Sequence, residues 1–207
     1  MNAALSARAD FVGLVFFPPS PRAVTPLGGA DLAAIARGRA EIAALLVDAE
    51  DEFIRDVVSR VNPDLLQLHG RETPQRVADI RACFGKPVMK ALAVSSADDL
   101  ALVPAYEAVA DRILYDAKPP KDADRPGGHG RVFDWTLLAK TARQKPMMLS
   151  GGLTPGNVAE AIRIVRPGGV DVSSGVEDAP GVKNAAKIDS FVTNARAAAQ
   201  ALQEKVS

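Results

Sequence analysis

The sequence predicts an α/β fold built on a parallel sheet. Three observations carry this expectation. Short apolar runs rich in Val, Ile and Leu recur through the 207 residues. Amphipathic helical stripes lie between them, and no linker or low-complexity stretch divides the chain, so one domain spanning 1–207 is expected. Runs without polar alternation, bounded by turn signals, suit strands buried on both faces, as in a parallel sheet.

The elements follow in order. Residues 2–8 read as the end of a helix. Strands are expected at 11–16, 41–47, 65–68, 88–93, 113–115, 146–149 and 169–172. Helical stripes with apolar residues at i, i+3, i+4 and i+7 fall at 30–37, 52–61, 74–84 and 155–165. Thr73-Pro74 and Thr154-Pro155 each place a capping hydroxyl before a proline at the first helical position. The alanine-rich segment 185–204 is strongly helix-prone. Strands begin roughly 22 to 34 residues apart, the spacing of βα units. Seven such units are visible. A closed barrel needs eight parallel strands and a doubly wound sheet five or six. A helix standing before the first visible strand implies a strand in front of it. Either the fold is not a barrel, or the sequence begins one strand late.

Composition narrows the function. The 25 basic and 25 acidic side chains balance, which argues against a dedicated nucleic-acid binder. The apolar runs are too short to span a membrane, and residues 1–10 lack the features of a signal peptide, so a cytoplasmic protein with no membrane partner is expected. One cysteine excludes an intrachain disulfide. Two histidines without matching carboxylate spacing make no metal site.

In parallel α/β folds ligands bind at the carboxyl ends of strands. After the strand at 146–149 comes Ser150-Gly151-Gly152-Leu153-Thr154-Pro155, and after that at 169–172 comes Ser173-Ser174-Gly175-Val176-Glu177. Two consecutive glycine-containing loops, last in the chain, suit a phosphate grip through Gly151, Gly152, Ser174 and Gly175. Phe17-Pro18-Pro19-Ser20-Pro21-Arg22 is a stiff loop presenting a guanidinium suited to a carboxylate. Asp116 ends its strand and opens a long loop at 117–131, a seat for a general acid. Asp171, inside the last strand, must find a partner, and so must Lys90, for which structural pairing is expected. His69 ends a strand and faces the site, whereas His129 is expected to be solvated. Cys83, late in a helix at the opposite pole, is expected to be a buried, inert thiol. Trp135 is expected to anchor the end of the long loop.

The stretches Phe11-Val12-Gly13-Leu14-Val15-Phe16 with the proline loop to Arg22, Leu66-Gln67-Leu68-His69-Gly70, Leu114-Tyr115-Asp116, Val132-Phe133-Asp134-Trp135, Leu149-Ser150-Gly151-Gly152-Leu153 and 170–177 together resemble the phosphoribosylanthranilate isomerase family. The likeness runs from about residue 3 to the C-terminus, and six motifs stand in the right order. The resemblance implies a TIM (β/α)8 barrel with seven units visible and the first strand missing. It implies an Amadori rearrangement of N-(5-phosphoribosyl)anthranilate in tryptophan biosynthesis, with a phosphorylated small molecule as partner and no metal or organic cofactor; a monomer is expected. By that likeness Asp116 is the general acid, Arg22 holds the anthranilate carboxylate, His69 and Asp171 line the substrate pocket, and the glycine loops hold phosphate. The family's general base is a cysteine in a Lys-Ile-Cys-Gly-type motif of the first strand, which this sequence does not contain. A start placed upstream is the expected explanation; the alternative is a phosphosugar-binding barrel impaired in catalysis.

Overall fold

A computed structural model of the chain describes residues 1–118, 133–139 and 144–204. Seven strands form one sheet in sequential order, every neighbouring pair parallel. They are β1 (Phe11–Phe16), β2 (Glu41–Leu46), β3 (Leu65–Leu68), β4 (Val88–Val94), β5 (Arg112–Ala117), β6 (Met147–Leu149) and β7 (Gly169–Val170). All seven expected strands are present. The last is shorter than expected, so Asp171 follows the strand instead of lying inside it.

Helices alternate with the strands: α1 (Asn2–Ser6), α2 (Pro26–Ala36), α3 (Asp51–Val61), α4 (Pro74–Phe84), α5 (Val103–Glu107), α6 (Thr136–Ala139), α7 (Val158–Val165) and α8 (Ala185–Gln203). Local chemistry sets several of their ends. Thr73 accepts from the Arg76 amide, Pro74 opens α4, and Gly85 closes it in the left-handed region at φ 61°. The expected cap at Thr154-Pro155 does not form. Helix α7 starts at Val158, and Asn157 instead turns back, accepting from the Thr154 amide (2.7 Å) and donating to the Gly152 carbonyl (3.0 Å). The amide side chain serves both a donor and an acceptor of the glycine turn, which a threonine hydroxyl at that place does not do.

The sheet has two different faces. Val12, Leu14 and Phe16 of β1, with Ile42, Ala44, Leu66, Leu68, Ile113, Tyr115 and Leu149, pack in one core with helix residues such as Ile54, Val57, Val77, Ile80 and Ile162. This is the sheet–helix layer. The other face gathers Ala43, Leu65, Met89, Ala91 and Leu114, with Phe11 and Met148 against them and no helix residue among them. It is the inner face of a curling sheet, and period-two alternation assigns Gln67 of β3, Ala93 of β4 and Asp116 of β5 to it.

The curl brings the two ends of the sheet together without hydrogen-bonding β1 to β7. Arg22, past the end of β1, pairs with Glu177, past the end of β7, at 2.6 Å. Outside, α8 packs against α1 and α7, and Arg196 of α8 donates to the Arg8 carbonyl (2.7 Å) and to Asp10. Cys83 is exposed on α4, correcting the expectation of a buried thiol; its side chain lies on the solvent side of a helix whose inward stripe is Val77 and Ile80.

Candidate active site

The carboxyl ends of the strands bring the expected residues to one rim. Asp116 lies near the end of β5 and is only 5% exposed. Its Oδ1 accepts from the Ala117 amide (2.8 Å), and its Oδ2 lies 3.1 Å from His69 Nε2. His69 stands just past the end of β3, so the imidazole spans β4 to reach β5. Small side chains on the intervening strand permit this: Ala93 is the register partner of Asp116 and Ala91 that of Leu114. On its other side His69 Nδ1 lies 3.1 Å from the Gln67 amide nitrogen. Gln67 was not among the expected site residues. The signal was present in Leu65-Leu66-Gln67-Leu68, where one polar residue interrupts a wholly buried strand.

Asp171 follows β7 and joins the same cluster. Its amide donates to the Leu149 carbonyl (2.8 Å), and its Oδ2 accepts from the Ser150 hydroxyl (3.3 Å). Burial pushes its carboxyl above the ordinary range, and the neighbouring Asp116 carboxylate pushes the same way; His69, Ser150 and Lys183 oppose them. The result is a buried Asp171 carboxyl whose ionisation the Asp116 carboxylate opposes.

Arg22 is held by the turn at 17–23, in which Ser20 donates to Phe17 and Ala23 to Ser20 through their backbones. Its side chain is 10% exposed, not solvated, and its Nε and Nη2 donate to the two carboxylate oxygens of Glu177 at 2.7 and 2.6 Å. Lys183 reaches the same carboxylate at 2.8 Å. Burial raises the Glu177 carboxyl, but the hydrogen bonds from Arg22 and Lys183 outweigh it and hold the group down to about 2. Glu177 and Lys183 belong to a small antiparallel ribbon, β8 (Glu177–Ala179) and β9 (Val182–Lys183), that the sequence reading had not anticipated.

The two glycine loops touch. Gly151 and Gly152 have φ values of 87° and 66°, which favour glycine. A Cβ on Gly151 would overlap the Ala117 amide and come within 3.0 Å of Asp116 Oδ1. Gly175, in the short 3₁₀ turn Ser174–Val176, lies so close to the Leu153 carbonyl that a Cβ would overlap it. Lys183 Nζ donates to the Ser173 carbonyl (2.8 Å), placing an ammonium beside the second loop. Gly151, Gly152, Ser174 and Gly175 therefore form one small-residue wall beside Asp116.

Lys90 faces the helix layer, apart from this wall. Its ammonium donates to the Gly70 carbonyl (2.7 Å), the Leu68 carbonyl (3.2 Å) and Glu72 Oε2 (2.9 Å), both side chains being 2% exposed. Glu72 Oε1 in turn accepts from the Asp48 and Gly70 amides. The expected structural pairing is present, and it braces the turn that carries His69. Trp135 is buried. His129 and most of the long loop lie outside the described residues. Among the described residues no cluster of three His, Cys, Asp or Glu could hold a metal, and no helix is long and apolar enough to cross a membrane.

Comparisons with known proteins converge. The family model for N-(5'-phosphoribosyl)anthranilate isomerase matches residues 1–194. A protein of that name from Rhodopseudomonas palustris (strain HaA2) is 58% identical over 206 residues, covering 98% of this chain and 93% of that protein. One from Nitrobacter winogradskyi is 55% identical over 207 residues, covering 100% of this chain and 92% of that one. The crystal structure of phosphoribosyl anthranilate isomerase from Thermotoga maritima superposes with a TM-score of 0.85 at 37% identity, covering 95% and 92% of the two chains. A second structure of such an isomerase, in complex with reduced 1-(o-carboxyphenylamino)-1-deoxyribulose 5-phosphate, gives 0.80 at 34%, again covering 95% and 92%.

Proposed function

Because the chain belongs to the N-(5'-phosphoribosyl)anthranilate isomerase family and takes the α/β-barrel fold of its solved members, we propose that this rim isomerises N-(5'-phosphoribosyl)anthranilate in tryptophan biosynthesis. The observation that carries the reading is convergence: Asp116, His69 and Asp171 on one side, Arg22 and the glycine wall on the others.

The chemistry assigned to each residue follows from its place. Asp116, in its neutral form, protonates the ribose ring oxygen; the C1–O bond breaks and the anthranilate nitrogen forms a Schiff base at C1. Loss of the C2 proton to a base gives the enolamine. Tautomerisation then yields the C2 ketone, and the product has the substrate's composition. The chain's one cysteine, Cys83, sits before β4 at the opposite pole and takes no part. Arg22 offers the anthranilate carboxylate the guanidinium N–H groups that Glu177 does not take. The glycine wall accepts the phosphate through backbone N–H groups, with Lys183 adding charge nearby. Asp171 faces the sugar hydroxyls. The rim is assembled within one chain, which supports a monomer as the working unit, and a biosynthetic enzyme on a small phosphorylated substrate suits the cytoplasm.

The test uses the chain itself. Titration with the reduced aminoketose phosphate gives binding, and conversion of the aminoaldose, followed by fluorescence, gives turnover. Binding with turnover is expected. Binding without turnover overturns the catalytic assignment, and loss of both overturns the substrate assignment.

A further inference from the structure

We propose that Gln67 is a positioning residue: its side-chain amide holds His69 as the neutral ring that donates from Nε2 to Asp116. The inference deepens the isomerase reading and rests on it for the role of Asp116.

Each ring nitrogen of His69 faces one side-chain atom. His69 Nε2 faces Asp116 Oδ2 at 3.1 Å, and Nδ1 faces the Gln67 amide nitrogen, also at 3.1 Å. Of the neutral tautomers, the one protonated at Nε2 donates to the carboxylate and keeps a lone pair on Nδ1 for the amide N–H. A doubly protonated ring would set Nδ1–H against that N–H, donor against donor. Gln67 is 5% exposed, so its amide has no bulk water to turn to, and a charged ring would require the amide to turn over and present Oε1 to Nδ1–H. Gln67 lies in β3 and His69 one residue past its end, two positions apart, so the chain itself sets their register.

The consequence bears on the acid. A cationic ring this close to Asp116 would stabilise a negative carboxylate more than a neutral ring does, and so oppose proton donation to the ring oxygen. A neutral ring permits the protonated acid, then stabilises the carboxylate with one N–H after transfer. Among the described residues, the carboxyl of Asp171 interacts with both His69 and Asp116, and Lys183 interacts with Asp171. Glu72 and Lys90 neutralise one another at 2.9 Å on the helix side of the same turn.

The experiment compares wild type, Gln67→Leu and Gln67→Glu. Histidine ring 15N shifts are informative because the chain has two histidines, and His69→Asn assigns them. In wild type, proton on Nε2 and a bare Nδ1 are expected near pH 8. Gln67→Leu, which fits beside the apolar inner cluster, should give mixed tautomers. Gln67→Glu, which keeps the side-chain shape, should move the ring proton to Nδ1 and keep the ring charged to higher pH. In that variant kcat near neutral pH should fall at least about tenfold, a fraction of the full general-acid contribution, with KM little changed. A wild-type ring protonated on Nδ1, or a spectrum unchanged by both substitutions, overturns the proposal. The NMR arm needs no turnover, so an inactive wild type would count against the isomerase reading alone.

Discussion

Arg22 and Glu177 stand 155 positions apart and meet in a two-pronged ion pair, 2.6 Å at its shorter contact, that joins the two ends of the sheet. Strand pairing does not join β1 to β7; this pair and the α8 contacts link the segments that flank them. Glu177 should make stability pH-dependent. Its carboxyl is held at about 2 in the folded chain against an ordinary 4.5. A depressed carboxylate contributes fully above its unfolded value and loses that contribution as pH falls toward the folded value. Urea denaturation should show Glu177→Gln less stable than wild type at pH 7 by up to about 3 kcal/mol. The gap should shrink between about pH 4.5 and 2 and vanish below; a gap independent of pH refutes the assignment.

Asp116→Asn should fold normally, since an amide oxygen still accepts from the Ala117 amide. Turnover should drop roughly 10²- to 10⁴-fold with KM within a few-fold of wild type. Steady-state kinetics beside a thermal melt separate this from a folding defect.

Asp171 should behave in the opposite sense to Glu177. Its folded carboxyl is raised, chiefly by burial and then by Asp116. A raised acid costs stability once the pH passes its unfolded value. Asp171→Asn should therefore melt higher than wild type at pH 7 and equally at pH 3, while substrate affinity falls. Equal melting at both pH values would contradict the raised carboxyl.

The Lys90–Glu72 pair, 2.9 Å apart and 2% exposed on both sides, makes a third prediction about stability. Lys90→Met should cost about 3–5 kcal/mol, because Glu72 is left as a buried lone charge. Adding Glu72→Gln should recover part of that loss, since an amide still accepts from the Asp48 and Gly70 amides. A double variant as unstable as the two single variants summed would show that the pair is not coupled.

How far the sequence was readable depends on range. The strands were legible because a parallel sheet covered by helices writes unbroken apolar runs, and the ends of all seven lie within two residues of those expected. Strand β7 stops at Val170, and Asp171 beyond it accepts from the Ser150 hydroxyl. Asp116, His69 and Arg22 were legible because they sit at strand ends. Their partners were not. Glu177 and Gln67 acquire meaning only when distant strands or a curled inner face bring a ring or guanidinium to them. Thr154-Pro155 looked like a helix start, but two-sided bonding by Asn157 redirected the chain. Cys83 was misplaced because its type favours interiors while its helical position faces out.

The contacts that join β1 to β7 are also the most remote in sequence, 155 positions for Arg22 with Glu177 and 188 for Arg196 with the Arg8 carbonyl. Neighbouring βα units can assemble stepwise, but these two clasps must wait until the whole ring is in register. They belong on the native side of the folding barrier. Loosening either by Glu177→Gln or Arg196→Ala should hasten unfolding in stopped-flow mixing while refolding keeps its pace. The clasp thus sets how long the assembled ring persists rather than how fast it forms.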